Sequence, residues 1–84
     1  MIKLSKVRNI GKELERKLQI IGINSAEELK NTGSKETFFK LKQRFPEVCL
    51  VHLYSLEGAI TDINFNELSE ETKKDLKAFS DEWK

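Results

Sequence analysis

Two side chains in this 84-residue chain have the chemistry of metal ligands, or of a nucleophile with its base. Cys49 and His52 are the single cysteine and the single histidine, and their spacing places them on one face of a helix. A structural zinc site needs four ligands, and a catalytic Cys–His pair needs a third group that orients the base. The sequence offers neither. We predict a buried thiol beside a half-buried imidazole, with no metal site and no catalytic residue.

An acidic residue, Glu57, lies inside an apolar segment between Leu56 and Gly58. A carboxylate in such surroundings can have a raised pKa, as catalytic acids do. It can also accept hydrogen bonds as a structural group, by capping a loop or by pairing with a lysine, and we favour that interpretation. Gly58 is expected to permit the close approach of a second element, because glycine otherwise weakens a helix. We therefore expect a protein that is not an enzyme and has no cofactor.

Six residues near the N-terminus have the types and spacing of a phosphate-binding turn: Lys6, Arg8, Asn9, Ile10, Gly11 and Lys12. The first amides of a helix have no partner inside the helix and carry the positive end of its dipole, and glycine lets an anion approach closely. The segment around this turn resembles a helix-hairpin-helix module, in which such amides bind a nucleic-acid phosphate. The resemblance implies phosphate contacts by the amides near residues 10–12 and by the three cations, with Arg16 and Lys17 one turn further on.

Two departures from the helix-hairpin-helix pattern qualify this hypothesis. Asn9 replaces the first glycine of the turn, and asparagine is the next most tolerant residue for a left-handed backbone. The second hairpin that usually accompanies the first would fall at residues 44–46, where no glycine occurs. We expect that second hairpin to be structural and to pack Phe45. The first hairpin can also be interpreted as structural, that is, as a turn that only joins helices.

Helix caps and apolar periodicity predict five helices after a first turn at residues 4–7, and no sheet. The first predicted helix opens at residues 9–11 and ends at about residue 21, and the second follows Ser25 to about residue 30 or 31. The third and fourth span residues 35–44 and 47–60, and the last follows Ser69. Gly22 and Gly33 are expected to end the first two of them. A capping box joins Ser25 and Glu28 at the start of the second, while Ser34 and Ser69 are predicted to cap the third and fifth.

The fourth predicted helix is apolar on nearly all sides, so we expect it to be central and the most buried. Pro46 is expected at its start, because a proline ring is excluded from a helix interior. The loop at residues 61–68 is expected to tuck Ile63 and Phe65 against the core. In the last helix the residues predicted to face inward are Thr72, Leu76, Phe79 and Trp83.

Charge is distributed unevenly along the chain, although its formal net charge is only +1. Residues 1–44 hold 11 basic and 5 acidic side chains, a charge of +6, whereas residues 45–84 hold 4 basic and 9 acidic ones, a charge of −5. Such a separation can create one basic face that attracts phosphates locally. Alternatively, the charges interleave on folding. No signal peptide or membrane span is recognisable, so a cytoplasmic location without membrane contact is expected.

Nearly the full length of the chain is similar to the C-terminal domain of the TfoX (Sxy) competence regulators, a family of bacterial domains. The similarity rests on residues 9–11, 14, 18, 22–23, 28–29, 33, 46–50, 53–54, 56–60 and 66–68, with Phe65 where a tryptophan is expected. It implies a helical domain of helix-hairpin-helix type, linked to the regulation of DNA uptake. The full regulators carry a further N-terminal domain. Because this chain begins at the hairpin, we expect a stand-alone form.

These observations predict one compact all-α domain over residues 1–84, with five helices of the helix-hairpin-helix (SAM-like) type. Two functions remain open. The first is weak, sequence-independent binding to the DNA phosphate backbone through the turn at residues 9–11. The second is binding of a protein partner, or of a second copy, by the apolar face of residues 48–60 or by the end of the chain that holds Phe79 and Trp83.

Overall fold

Five α-helices and two short 3₁₀ turns make up the part of the chain that the computed structural model describes, which is residues 4–82 without the side chain of Ser5. The helices are α1 (Lys12–Ile20), α2 (Ala26–Thr32), α3 (Ser34–Arg44), α4 (Leu50–Thr61) and α5 (Glu70–Asp81). The 3₁₀ turns are Leu4–Lys6 and Phe65–Glu67. No strand forms within the described residues, so the predicted all-α architecture with five helices is confirmed.

The end of α1 has the glycine cap that the sequence predicts. Gly22 has a φ of +93°, and its amide donates to the carbonyl of Gln19. The amide of Ile23 donates to the carbonyl of Leu18, which completes a Schellman motif. The inward face of α1 buries Leu14 and Leu18.

The start of α2 is capped by Ser25, whose hydroxyl accepts the amide of Glu28 at 3.2 Å. The return bond differs from the prediction, because the Glu28 carboxylate accepts the amide of Asn24 and not that of Ser25. The carboxylate also accepts the Ser25 hydroxyl at 3.4 Å. Gly33 ends the helix with a φ of +89°, as expected.

The prediction that Ser34 caps α3 is wrong. The helix begins at Ser34 itself, the cap position belongs to Gly33, and no side chain bonds to the first amides. The Ser34 hydroxyl instead donates to the Glu57 carboxylate on α4 at 2.6 Å. Ser34 is buried, and a buried hydroxyl needs a partner. This tertiary bond gives Glu57 the structural acceptor role that its position suggested.

The predicted start of the fourth helix is also wrong, because α4 begins at Leu50 and Pro46 lies in a turn. The Val48 amide donates to the Phe45 carbonyl at 3.0 Å, which closes a four-residue turn with proline at its second position. The Lys42 ammonium donates to the carbonyls of Pro46 and Val48, at 3.0 and 2.7 Å. These bonds hold residues 46–48 outside the helix.

The central position of α4 is confirmed, since it packs against α2, α3, α5 and the Phe65–Glu67 turn. It is nevertheless open on one side, where Val51 is 53% exposed. The thiol prediction is wrong as well, because Cys49 precedes the helix and is exposed. The buried residue of this segment is its neighbour Val48.

The link between α4 and α5 buries Leu68, while Phe65 is half-buried and Ile63, predicted to tuck inward, is 39% exposed. The backbone of Ile63 closes the end of α4, because its amide donates to the Gly58 carbonyl.

Ser69 caps α5 as predicted, by accepting the amide of Thr72. Phe79 contacts Phe38 edge-on, with ring centroids 6.4 Å apart. The predicted inward position of Trp83 lies outside the described residues.

No helix in residues 4–82 is long and apolar enough to cross a membrane.

Candidate nucleic-acid interface

The turn before α1 has the backbone that the sequence suggested. Asn9 has a φ of +72°, the left-handed conformation for which glycine is the usual residue. The next residue, Ile10, is buried, and its amide donates to the carbonyl of Val7 at 3.2 Å. The Ile10 amide is therefore already used within the turn and is not available to an anion.

The Asn9 side chain connects the turn to the far end of α4. Its amide nitrogen donates to the Ile63 carbonyl at 2.9 Å, and its oxygen accepts the Phe65 amide at 3.3 Å. This junction passes directly over Gly58, because a Cβ at that position would overlap the Asn9 side chain and the Ile63 carbonyl. Gly58 thus permits close approach, as predicted. Asparagine supplies two hydrogen bonds here that glycine lacks.

The N-terminus of α1 is open. Gly11 occupies the cap position without a capping side chain, and the first hydrogen bond of the helix runs from the Glu15 amide to the Gly11 carbonyl. Within residues 4–82, no acceptor pairs with the amides at positions 11–14. Gly11 is exposed, and the space beside its Cα is empty to 4 Å. Residues 11–13 are exposed, so an anion can approach the amides of these three positions.

The start of α4, in the second hairpin, has a side chain at its cap position. The Cys49 amide donates to Nδ1 of His52 at 3.1 Å, so the imidazole folds back over the helix start. Burial and the nearby positive charge of Lys17 lower the pKa of His52, which favours the neutral ring that this bond requires. Phe45 packs against the core, as expected for a structural hairpin.

Two of the predicted cations, Lys6 and Arg8, line one groove of about 250 Å³, and both are exposed. Arg8 also contacts the Asp62 carboxylate at 3.4 Å. The third predicted cation, Lys12, is the exposed first residue of α1. The groove contains a further cation that sequence reasoning missed, Lys30 in the last turn of α2. The position of Lys30 in the sequence does not indicate that it lies near Lys6 and Arg8, because only the packing of α2 brings Lys30 to the groove.

The two cations one turn further along α1 are engaged elsewhere. Arg16 donates to the Glu13 carboxylate at 2.7 Å, and this bond lowers the pKa of Glu13. Lys17 lies over the ring of Phe45, 5.4 Å from its centroid. They are therefore less suited to phosphate contact than Lys6 and Lys12.

The charge separation along the chain is partly cancelled by folding. Arg8 pairs with Asp62, and Lys35 pairs with Asp75 at 2.6 Å, so both pairs join the basic N-terminal half to the acidic C-terminal half. Lys6 and Lys12 remain exposed near the turn at residues 9–11, beside two acidic residues in the first turn of α1, Glu13 and Glu15.

The sequence model of the TfoX C-terminal domain matches residues 1–80 of the chain. The chain belongs to the TfoX C-terminal domain family. Two crystal structures are similar to this TfoX domain, one of an uncharacterized protein from Listeria monocytogenes in a triclinic form and one of a protein of unknown function from Listeria monocytogenes in a tetragonal form. Both are 42% identical to it, with a TM-score of 0.93.

The first alignment covers 95% of this chain and 91% of the Listeria chain, and the second covers 96% and 100%. A search of curated proteins finds none that matches. Membership in the TfoX family is consistent with a competence-related helical domain.

Proposed function

We propose that this TfoX domain binds the phosphate backbone of DNA, weakly and without reading its sequence, at the N-terminus of α1. The observation that carries the proposal is the open first turn of that helix. Its amides at positions 11–13 have no partner within residues 4–82, and they stand at an exposed glycine. Unpaired amides and the positive end of the helix dipole form a binding site for an anion such as phosphate.

Cationic side chains add to this attraction. Lys12 belongs to the same helical turn, and Lys6 and Arg8 precede it in the hairpin. Arg8 shares its charge with Asp62, so the contact that it offers to a phosphate is weakened. Two or three neutralised phosphates make the binding weak and strongly dependent on salt.

The competing proposal, a protein-interaction surface on α4, has less support from the packing. Helices on several sides cover the apolar residues of α4, and among the described residues of that helix Val51 is the large apolar side chain left exposed. A single exposed valine is ordinary for a soluble domain.

The proposal is tested by fluorescence anisotropy with a labelled DNA duplex at low salt. We expect wild-type protein to bind in the range of roughly 10–100 µM, and a K6A/R8A/K12A variant to lose about tenfold or more in affinity. The matched control is K40A/R44A/K74A, which removes two lysines and one arginine that are exposed outside the first hairpin.

Two results would contradict the proposal. One is no binding by the wild type at about 100 µM protein, since even non-specific phosphate contacts give measurable binding in this range at low salt. The other is an equal loss in the two triple variants, which would indicate general charge attraction without a site at the hairpin.

A further inference from the structure

The groove beside the first hairpin brings together cations from two parts of the chain. Lys6 and Arg8 come from the hairpin and Lys30 comes from α2, and the three line the same space of about 250 Å³. Three small or medium apolar residues complete much of the lining, namely Val7, Ala26 and Ala59. No aromatic ring lines the groove within the described residues. It therefore offers charge without a surface on which a base can stack.

One carboxylate, that of Asp62, lines the groove together with the three cations. It contacts the Arg8 guanidinium at 3.4 Å, with 51% of the Arg8 side chain and 85% of the Asp62 side chain exposed. Asp62 ends α4 in a left-handed conformation, with a φ of +57°. An ion pair this exposed is weak and easily exchanged for another anion.

We propose that this groove holds a phosphate group of the nucleic-acid backbone, that Lys30 is one of its ligands, and that Asp62 is an internal competitor for Arg8. This inference rests on the proposed function and extends it to two further residues. A phosphate accepts the same guanidinium donors as a carboxylate and carries a full negative charge. On binding, the phosphate takes the place of Asp62 beside Arg8, while Lys6 and Lys30 neutralise it from the other parts of the groove.

The competitor has a measurable consequence. In the free protein the Asp62 carboxylate lies beside Arg8, so its negative charge offsets part of the attraction of the groove for an anion before any ligand arrives. Removing the Asp62 charge therefore strengthens phosphate binding, whereas removing the Lys30 charge weakens it. Asp62→Asn is a conservative change for the backbone, because asparagine tolerates the left-handed conformation well.

The test measures anisotropy with a labelled duplex over a range of salt for wild type, K30A and D62N. Two matched controls change the same charges on α5, which does not line the groove: K74A and E71Q, at exposed positions. We expect K30A to bind about threefold to tenfold more weakly, with a log–log salt slope shallower by about 0.9. We expect D62N to bind about threefold more tightly, with both controls within about 1.5-fold of the wild type.

Failure of this inference is distinguishable from failure of the proposed function. If the wild type binds the duplex but K30A matches K74A, or D62N matches E71Q, the groove assignment is overturned while phosphate binding at α1 stands. If the wild type does not bind at about 100 µM, the proposed function and the groove assignment both fall.

Discussion

Asn9 shows how one residue can replace a glycine and add a role of its own. The turn needs a left-handed backbone, which asparagine provides at small cost. Its side chain then makes two hydrogen bonds to backbone groups more than 50 positions away, at Ile63 and Phe65. Those bonds fix the hairpin against the end of α4, so the position of the turn depends on the whole fold.

We predict that Asn9→Gly destabilises the protein, although it restores the residue typical of the turn. The variant keeps the backbone conformation but leaves the Ile63 carbonyl and the Phe65 amide without their partner, at a cost of about 1–2 kcal/mol in the free energy of unfolding. Urea denaturation measures this loss in the free energy of unfolding. Asn24→Gly, at an exposed loop position, is the control for added chain entropy, with a smaller expected loss. An N9G protein as stable as the wild type would contradict this role.

The amide of Lys12 can be tested separately from its ammonium group. Gly11 has a ψ of 177°, the extended conformation that a following proline requires, and proline is well accepted at the first position of a helix. Lys12→Pro and Lys12→Ala remove the same charge, but only the proline removes the N–H. We predict that the two variants have equal thermal stability. We also predict that K12P binds the duplex about threefold to tenfold more weakly than K12A. Equal anisotropy titrations would show that this amide does not contact phosphate.

Residue types alone predicted the conformation of Asn9 and the close approach at Gly58, because both follow from local sterics. They did not predict the partners of Asn9, the place of Lys30 in the groove, or the exposure of Cys49. Each of these depends on which distant element packs alongside, and spacing in the sequence carries no information about that.

At the scale of elements, the two hairpins differ in how their second helix begins. The start of α1 has no side-chain cap, whereas at the start of α4 the His52 imidazole accepts the amide of the cap residue, Cys49, at 3.1 Å. An open helix start can accept a ligand, and a capped one stabilises the fold. The absence of glycine predicted a structural second hairpin, whereas the first hairpin was left open between phosphate binding and a turn that only joins helices. The capping by histidine was not predicted.

Burial of His52 makes the stability depend on pH. Burial, followed by the charge of Lys17, lowers the folded-state pKa of His52 below its ordinary value of 6.5. The unfolded state then binds the proton first, so stability is complete above about pH 6.5 and falls as the pH drops towards the folded-state pKa. We predict a lower free energy of unfolding at about pH 5.5 than at about pH 7.5, by urea denaturation.

His52 is the only histidine in the chain, so His52→Gln provides a clean control. The variant is expected to show almost no change in stability over the same interval, since carboxylates titrate mostly below it. A wild-type stability that stays constant or rises on acidification would contradict the burial of His52 as a neutral imidazole.

Element boundaries were predicted well where the cap is local and poorly where it is not. Ser25 and Ser69 cap α2 and α5 through bonds to residues three positions ahead. Ser34 has the same side chain, but its hydroxyl is drawn to Glu57 on another helix. Pro46 was predicted to start the fourth helix, but it lies in a turn before that helix. Lys42 stabilises this turn by donating to the Pro46 and Val48 carbonyls.

At the scale of the whole molecule, charge decides how strongly a phosphate backbone is attracted. The protein has a net charge of only +1, and ion pairs between its two halves reduce the basic surface further. Our proposal places the attraction at the first hairpin and its groove. Under our proposal, we expect weak DNA binding with few contacts and without a preferred sequence.

The salt dependence of duplex binding tests the central claim most directly. Wild-type protein is titrated into two labelled duplexes of unrelated sequence, at salt concentrations from roughly 20 to 150 mM, and the affinities are plotted on logarithmic axes. Two or three phosphate contacts predict a slope of about −2 to −3 for both duplexes, with closely similar affinities. A slope near zero, a strong preference for one duplex, or no binding at about 100 µM protein would contradict phosphate recognition by this domain.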